Sequence, residues 1–167
     1  HVPDGVVSRL VERSAGNAFY LEELIRATAD GKGESLPETV LAMVQARLDA
    51  QRPEARRMLR GGSVFGQTFS MGGVKALLGG AERDDEIQAE LSHLVEREIL
   101  VPREGRFQGD RGYSFRHALT REAAYAMLTD ADRKMSHKMA AAFLAKPAET
   151  DRMLLAEHNE RAYTVIE

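Results

Sequence analysis

Two short extended runs interrupt a chain that is otherwise patterned for helices. Ile99 to Arg103 and Gly112 to Phe115 carry β-branched and aromatic residues, and a polar loop that contains glycine separates them. Runs of this kind, joined by a short polar loop, are typical of a β-hairpin. A fold for this chain must therefore place one hairpin among helices.

Apolar residues recur at helical spacing on both sides of this hairpin. Proline, serine, asparagine or aspartate stands where most of the helices are predicted to begin, and glycine-containing breaks separate several of them. The predicted starting residues are Asp4, Asn17, Pro37, Pro53, Ser70, Asp84, His117, Asp132 and Thr150. We expect Asp30 to Ser35 to form a loop, because this stretch contains two glycines.

This order of elements predicts a mainly α fold with three regions. Residues 1–50 form a small helical domain, and residues 51–116 form a winged helix, which consists of three helices plus the β-hairpin. Residues 117–167 form C-terminal helices that could begin a helical repeat region. Because the sequence begins without methionine and ends within a helical pattern, we expect it to be a piece of a longer protein.

Composition narrows the class of protein. The 167 residues include 43% hydrophobic and 29% charged residues and have a net charge of −3, which is typical of a soluble globular protein without a general attraction to polyanions. There are no cysteines, so disulfides and thiolate metal sites are excluded. No apolar run is long enough to cross a membrane. A cytoplasmic location is expected, with no membrane partner.

Two polar turns that open helices are the candidate ligand contacts. Gly16, Asn17 and Ala18 begin a helix whose predicted apolar face includes Leu24, with Glu22 and Glu23 turned to water. His117 stands between the second strand of the hairpin and a helix. There its ring N–H can meet an anion beside the positive end of the helix dipole.

The third helix of the predicted winged helix is acidic. Asp84, Asp85 and Glu86 open it, and the helix carries more carboxylates than arginines. Phosphate contacts supply most non-specific DNA affinity, so this helix should repel DNA. Arginines in the hairpin and its loop, at 103, 106 and 111, leave a wing contact open, although a solvated surface is the simpler interpretation.

Six short segments, in order, resemble the STAND-class regulatory ATPases, in particular the large bacterial signalling ATPases joined to LuxR-type regulators, adenylate cyclases or serine/threonine kinases. The segments are Gly16–Leu24, Leu36–Val40, Ala46–Leu48, Phe115–Leu119, Ala124–Tyr125 and Arg133–His137. The resemblance implies an upstream P-loop nucleotide-binding domain and downstream sensor repeats as partners within the same protein.

This chain is similar only to the later, non-catalytic part of that family. It contains neither a Gly-x-x-x-x-Gly-Lys-Ser/Thr run nor an apolar strand ending in magnesium-binding carboxylates. We therefore expect no enzymatic activity, no catalytic residues and no bound cofactor in this piece alone. The resemblance implies ADP or ATP as the ligand of the longer protein, and a role as nucleotide-state sensor and relay between domains.

Two positions carry over from the family. Gly16-Asn17-Ala18 stands where the family has Gly-x-Pro, the turn beside the adenine and sugar, with alanine here in place of proline. His117 stands where the family has the histidine of a Met-His-Asp-like motif, which reaches the β-phosphate of ADP. Ala118 takes the place of the aspartate that follows it in the eukaryotic relatives.

Two alternatives remain open from the residues alone. The winged helix could belong to a DNA-binding transcription regulator, or the chain could be a protein-interaction scaffold in which nucleotide plays no part. His137 and His158 lie on separate predicted helices without a second ligand one turn away, so we expect packing or surface roles and no metal site.

Overall fold

The computed structural model describes residues 4–29, 39–80, 83–105, 110–145 and 157–162. The protein is mainly helical, with a small three-stranded antiparallel sheet. The elements are α1 (Asp4–Ser14), α2 (Ala18–Ala29), α3 (Val40–Asp49), α4 (Pro53–Val64), β1 (Thr68–Ser70), α5 (Met71–Leu77), α6 (Asp84–Glu96), β2 (Leu100–Glu104), β3 (Arg111–Phe115), α7 (Ala118–Ala126) and α8 (Asp130–Leu144). Residues 157–162 are also helical. The chain divides into two compact units, residues 1–47 and 48–167.

The first unit is built from α1, α2 and most of α3. Its buried cluster takes one or two side chains from each helix: Leu10, Tyr20, Leu24 and Met43. Three short amphipathic helices can bury only a small core, because much of their surface has no neighbour among the described residues of the unit. Val7, Val11 and Ile25 accordingly remain about half exposed.

Glu23 corrects the sequence-based prediction that both glutamates of α2 face water. Its side chain is only 3% exposed and forms an ion pair with Arg47 of α3. Glu22 follows the prediction more closely, because it is partly exposed and pairs with Arg26 one turn further along α2. The sequence could not show that Glu23 is buried, since its counter-charge, Arg47, comes from a different helix. Burial of a carboxylate is tolerated when such a partner is present.

The second unit surrounds α4, which packs against α5, α6, α7 and α8. The sheet has the order β1-β3-β2, and both pairings are antiparallel. β2 and β3 form the hairpin predicted from the sequence, with Leu100 opposite Phe115 and Glu104 opposite Arg111. β1 was not predicted, because the sequence indicated only a turn before a helix at Ser70.

Close contact between α4 and the sheet organises the core of this unit. A Cβ added at Gly62 would lie 2.8 Å from the ring of Phe69 in β1. Phe69 in turn stacks on Tyr113, with ring centroids 6.0 Å apart, and lies 5.5 Å from the ring of Phe115. The absence of a side chain at Gly62 therefore lets the aromatic face of the sheet approach the helix backbone.

Most other predicted helices are found close to their expected positions. The predicted starts at Ser70 and Asp84 agree with the observed helices to within one residue. Ser70 caps α5, because its hydroxyl accepts a hydrogen bond from the Gly73 N–H at 3.1 Å. The start of α8 is earlier than predicted, at Asp130 rather than Asp132.

The predicted helix starts at Pro37 and Thr150 and the predicted loop from Asp30 to Ser35 lie outside the described residues.

The acidic start of α6 is present as predicted. Asp84, Asp85 and Glu86 are exposed in its first turn, while apolar residues that include Ile87 and Leu91 are buried on the opposite side. Within the described ranges, no helix has the length and apolar character needed to span a bilayer.

Adding one methyl group at two adjacent glycines of α4 should have opposite effects on stability. Gly62→Ala should lower the free energy of unfolding of the second unit by about 1–3 kcal/mol, because the Phe69 ring is buried and cannot move aside without disturbing the sheet. Gly61→Ala is the matched control. Its Cβ would meet only Val74, at an ordinary 3.7 Å.

In the control variant Gly61→Ala the free energy of unfolding should rise by up to about 1 kcal/mol, since alanine is a better helix former than glycine. Urea unfolding followed by circular dichroism measures both changes. Equal stabilities of the two variants would show that α4 and β1 are not in the close contact described above.

Candidate functional site

The turn between α1 and α2 holds the first three predicted ligand contacts. Ala15 and Gly16 both have positive φ angles, +47° and +81°, which reverse the chain between the two helices. Asn17 then caps α2, because its side-chain Oδ1 accepts a hydrogen bond from the Tyr20 N–H at 3.0 Å. Ala18 is the first residue of α2, a position where proline is also well accepted. The alanine therefore keeps the turn and loses only the rigidity of the ring.

The backbone that leads to His117 is held from both sides. On one side Gln67 brackets Phe115, because the Phe115 N–H donates to the Gln67 carbonyl at 3.0 Å and the Gln67 side-chain amide donates to the Phe115 carbonyl at 2.6 Å. On the other side the Arg116 N–H donates to the Ile99 carbonyl at 3.0 Å. The sheet end thus fixes the residue immediately before His117.

His117 itself is the N-cap residue of α7. Its backbone is extended, with φ −131° and ψ 142°, and its carbonyl accepts from the Thr120 N–H at 3.1 Å. The ring makes no capping hydrogen bond to α7. The side chain is half-buried, and its Nε2 atom is covered. A ligand could therefore reach Nε2 only if the ring turned.

The predicted contacts fall in different units. Gly16, Asn17 and Ala18 belong to residues 1–47, and His117 belongs to residues 48–167. Within each unit the local geometry is the one that the sequence indicated: a tight polar turn opens a helix in the first unit, and a strand-to-helix junction carries the histidine in the second.

A second group of titratable residues, which the sequence did not bring together, lies inside the second unit. The Nδ1 atoms of His137 and His158 are 2.8 Å apart, and Nε2 of His137 is 2.9 Å from the hydroxyl of Tyr125. Both histidines are almost completely buried. The ring of Phe65 packs edge-on against His158, with centroids 5.7 Å apart. The expected packing role of the two histidines is thus the one observed.

Burial keeps both rings neutral. Desolvation, together with the positive charges that His158 and Arg161 can carry, lowers the pKa of His137 from 6.5 to about 4. Burial also lowers the pKa of His158, against the opposing effect of Glu157. If both rings were charged, two N–H groups would face each other across the short Nδ1–Nδ1 contact. The pair therefore joins residues 157–162 to α8 only while at least one ring is neutral.

Nothing in this histidine pair supports a metal centre. The described residues contain no group of three or more His, Cys, Asp or Glu side chains that could hold a metal ion. Nε2 of His158 is buried and has no hydrogen-bond partner in the described part of the chain. Two buried rings with an aromatic neighbour on one side are better suited to packing than to ligation.

Acid should weaken the second unit through His137. The unfolded chain takes up a proton near pH 6.5, whereas the folded ring does so near pH 4, so the unfolded state binds more protons between these values. The free energy of unfolding should accordingly be highest above pH 6.5 and should fall as the pH decreases toward 4. Over this pH range the free energy of unfolding should fall by about 2–4 kcal/mol.

Urea unfolding at about pH 7.5 and about pH 5 measures this loss. His137→Gln, which does not titrate here, should show a smaller difference between the two pH values, and the remaining difference comes in part from His158, whose pKa burial also lowers. His93→Gln, which replaces a partly exposed histidine on α6, should behave like the wild-type protein. If His137→Gln kept the pH dependence of the wild-type protein, titratable groups other than His137 would be responsible for the loss of stability in acid.

Comparison with known protein families, with curated proteins and with solved structures finds no match.

Proposed function

We propose that this chain is the helical and winged-helix portion of a STAND-type signalling ATPase, in which it senses the nucleotide state and relays it between domains. An upstream P-loop domain would supply the phosphate-binding loop and magnesium, and downstream helical repeats would receive or deliver the signal. In this proposal the chain itself is not catalytic, works in the cytoplasm, and contributes Gly16, Asn17, Ala18 and His117 to the nucleotide site.

The order of elements in the second unit supports a winged helix. A helix, a short strand, two helices and a hairpin follow one another as α4, β1, α5, α6, β2 and β3, and the first strand adds to the hairpin at β3. This is the arrangement expected of a winged helix, with the β2–β3 hairpin as its wing. α7 follows β3 directly, and the segment that leads into it, Phe115–Leu119, is the one that resembles the family's histidine motif.

The position of His117 carries the functional proposal. The residue follows a strand end that is held by hydrogen bonds on both sides, and it precedes the N-terminus of α7. Backbone N–H groups and the helix dipole at such a terminus favour an anion, and an imidazole can donate to the same phosphate. Because a rigid sheet end presents the residue, movement of the second unit would carry His117 toward or away from a nucleotide.

The exposed apolar face of the first unit fits a chain with a neighbouring domain. Val7, Val11 and Ile25 are about half exposed and line a groove of about 300 Å³ between α1 and α2. Apolar groups collected on one face of a small domain are typical of an interaction surface. In the proposed protein the P-loop domain would cover this face. The same observation would also suit an interaction scaffold, which makes this the second candidate function.

Direct reading of DNA by α6 has less support. Its first turn exposes three carboxylates, and ion pairs with Lys75 and Arg83 neutralise only two of them. A reading helix needs an excess of positive charge to approach phosphates.

Replacing His117 with alanine should weaken ADP binding by about tenfold to a hundredfold in a protein that includes the upstream P-loop domain, because a hydrogen bond to a charged group contributes about 1.5–3 kcal/mol. ATP should be affected less, since the proposed contact belongs to the ADP-bound state. Isothermal titration calorimetry with both nucleotides measures the two affinities, and thermal unfolding checks that the variant folds.

The matched control is His93→Ala on α6, which should bind ADP like the wild-type protein. Equal ADP affinities of the His117 variant and the wild-type protein would remove the sensor assignment and leave the interaction scaffold as the better interpretation. In that case a Val11→Asp substitution should still reduce association with the partner of the first unit.

A further inference from the structure

Three arginines line one concave pocket on the outer face of α4. Arg56, Arg57 and Arg60 surround it, together with Pro53 and with Met127 from the end of α7, and its volume is about 350 Å³. Arg56 and Arg60 are half-buried, while Arg57 is exposed. No carboxylate lies among the described residues that line this pocket.

A second pocket adjoins the first and shares Arg57 and Arg60 with it. Its volume is about 200 Å³, and its other side is lined by apolar side chains and by two polar residues. The apolar ones are Leu77, Leu78 and Leu128, and the polar ones are Asp132 and Ser136. The carboxylate of Asp132 is already engaged, because its Oδ2 accepts hydrogen bonds from the hydroxyl and the backbone N–H of Thr129. The surface thus combines a cationic pocket with a mixed pocket that is lined by both arginines and leucines.

The arginine arrangement is unfavourable for α4 on its own. Arg56 and Arg60 are one turn apart on the same helix face, where like charges repel. Arg56 also lies in the first turn, close to the positive end of the helix dipole, and one of its nitrogens donates to the Asp49 carbonyl at 3.3 Å. A bound anion would relieve this repulsion and would accept hydrogen bonds from several guanidinium groups at once.

We propose that this surface of α4 binds an acidic segment of a protein partner, with a carboxylate in the arginine pocket and a neighbouring apolar side chain in the leucine-lined pocket. Charge complementarity identifies the first position, and the three leucines identify the second. The site is separate from the proposed nucleotide contacts, because none of its lining residues belongs to them.

The combination of pockets favours a peptide over other anions. A free phosphate would use the arginines and leave the leucine-lined pocket empty. A nucleic acid would need cationic groups along its whole path, whereas the second pocket contributes the carboxylate of Asp132. An acidic peptide with an adjacent leucine satisfies both pockets together.

Fluorescence anisotropy with the 167-residue chain tests the proposal. The probe is a labelled synthetic peptide of alternating glutamate and leucine, and the matched peptide replaces each glutamate with glutamine. The glutamate peptide should bind about tenfold or more tightly than the glutamine peptide, and its affinity should fall as salt is raised from about 50 to about 300 mM.

The double variant Arg57→Gln with Arg60→Gln should lose about tenfold or more in affinity for the glutamate peptide. Arg83→Gln, which removes a charge from an exposed arginine at the start of α6, should bind like the wild-type protein. Leu78→Gln should lower the affinity and leave the salt dependence in place. Thermal unfolding of each variant separates loss of binding from loss of fold.

Several outcomes would overturn the proposal. These are absence of glutamate-peptide binding by the wild-type chain, equal binding of the two peptides, and an Arg83→Gln effect as large as that of the double variant. Inorganic phosphate that competes as well as the peptide would show a simple anion site. Tighter binding of a DNA oligonucleotide would assign the arginines to nucleic acid.

Discussion

Contact between the α4 backbone at Gly62 and the ring of Phe69 is the constraint on which the second unit depends. Phe69 belongs to β1, which pairs with β3 over only three residues. Gln67 stands directly before β1, and its backbone and side chain both bond to Phe115 at the end of β3. The approach that Gly62 permits therefore sets the position of β1, β1 sets the end of β3, and the end of β3 sets His117.

The hairpin and most helices of this unit could be predicted from the sequence, because each has a local signal. β2 and β3 are extended runs around a polar loop, and Ser70 is a good helix cap. β1 has no such signal. It is three residues long, and it forms only because β3, far away in sequence, offers a free edge. Glu23 is a similar case, since its burial depends on Arg47 from another helix.

The residues of the candidate site also differ in whether local sequence could predict them. Asn17 as a helix cap and His117 at a strand-to-helix junction follow from local sequence, and the structure describes both. The contact between His137 and His158 could not be predicted, because it joins α8 to a later segment and depends on the packing of an aromatic ring from the end of α4. The arginines of α4 have a visible spacing along the helix. Only the fold shows that Met127 and the leucines of neighbouring elements turn that stripe into two pockets.

α4 connects these features physically. Its inner face meets the sheet, its outer face carries the arginines, and Arg121 of α7 reaches the Ser63 carbonyl near its end at 3.5 Å. A tightly packed helix of this kind transmits force with little bending, because closely packed interiors have few alternative arrangements. If a ligand at the arginines acts on His117 at all, it would do so by moving the second unit as one body, rather than by deforming α4. Coupling between the two surfaces then requires that the unit has two positions relative to a neighbouring domain, each favoured by a different ligand.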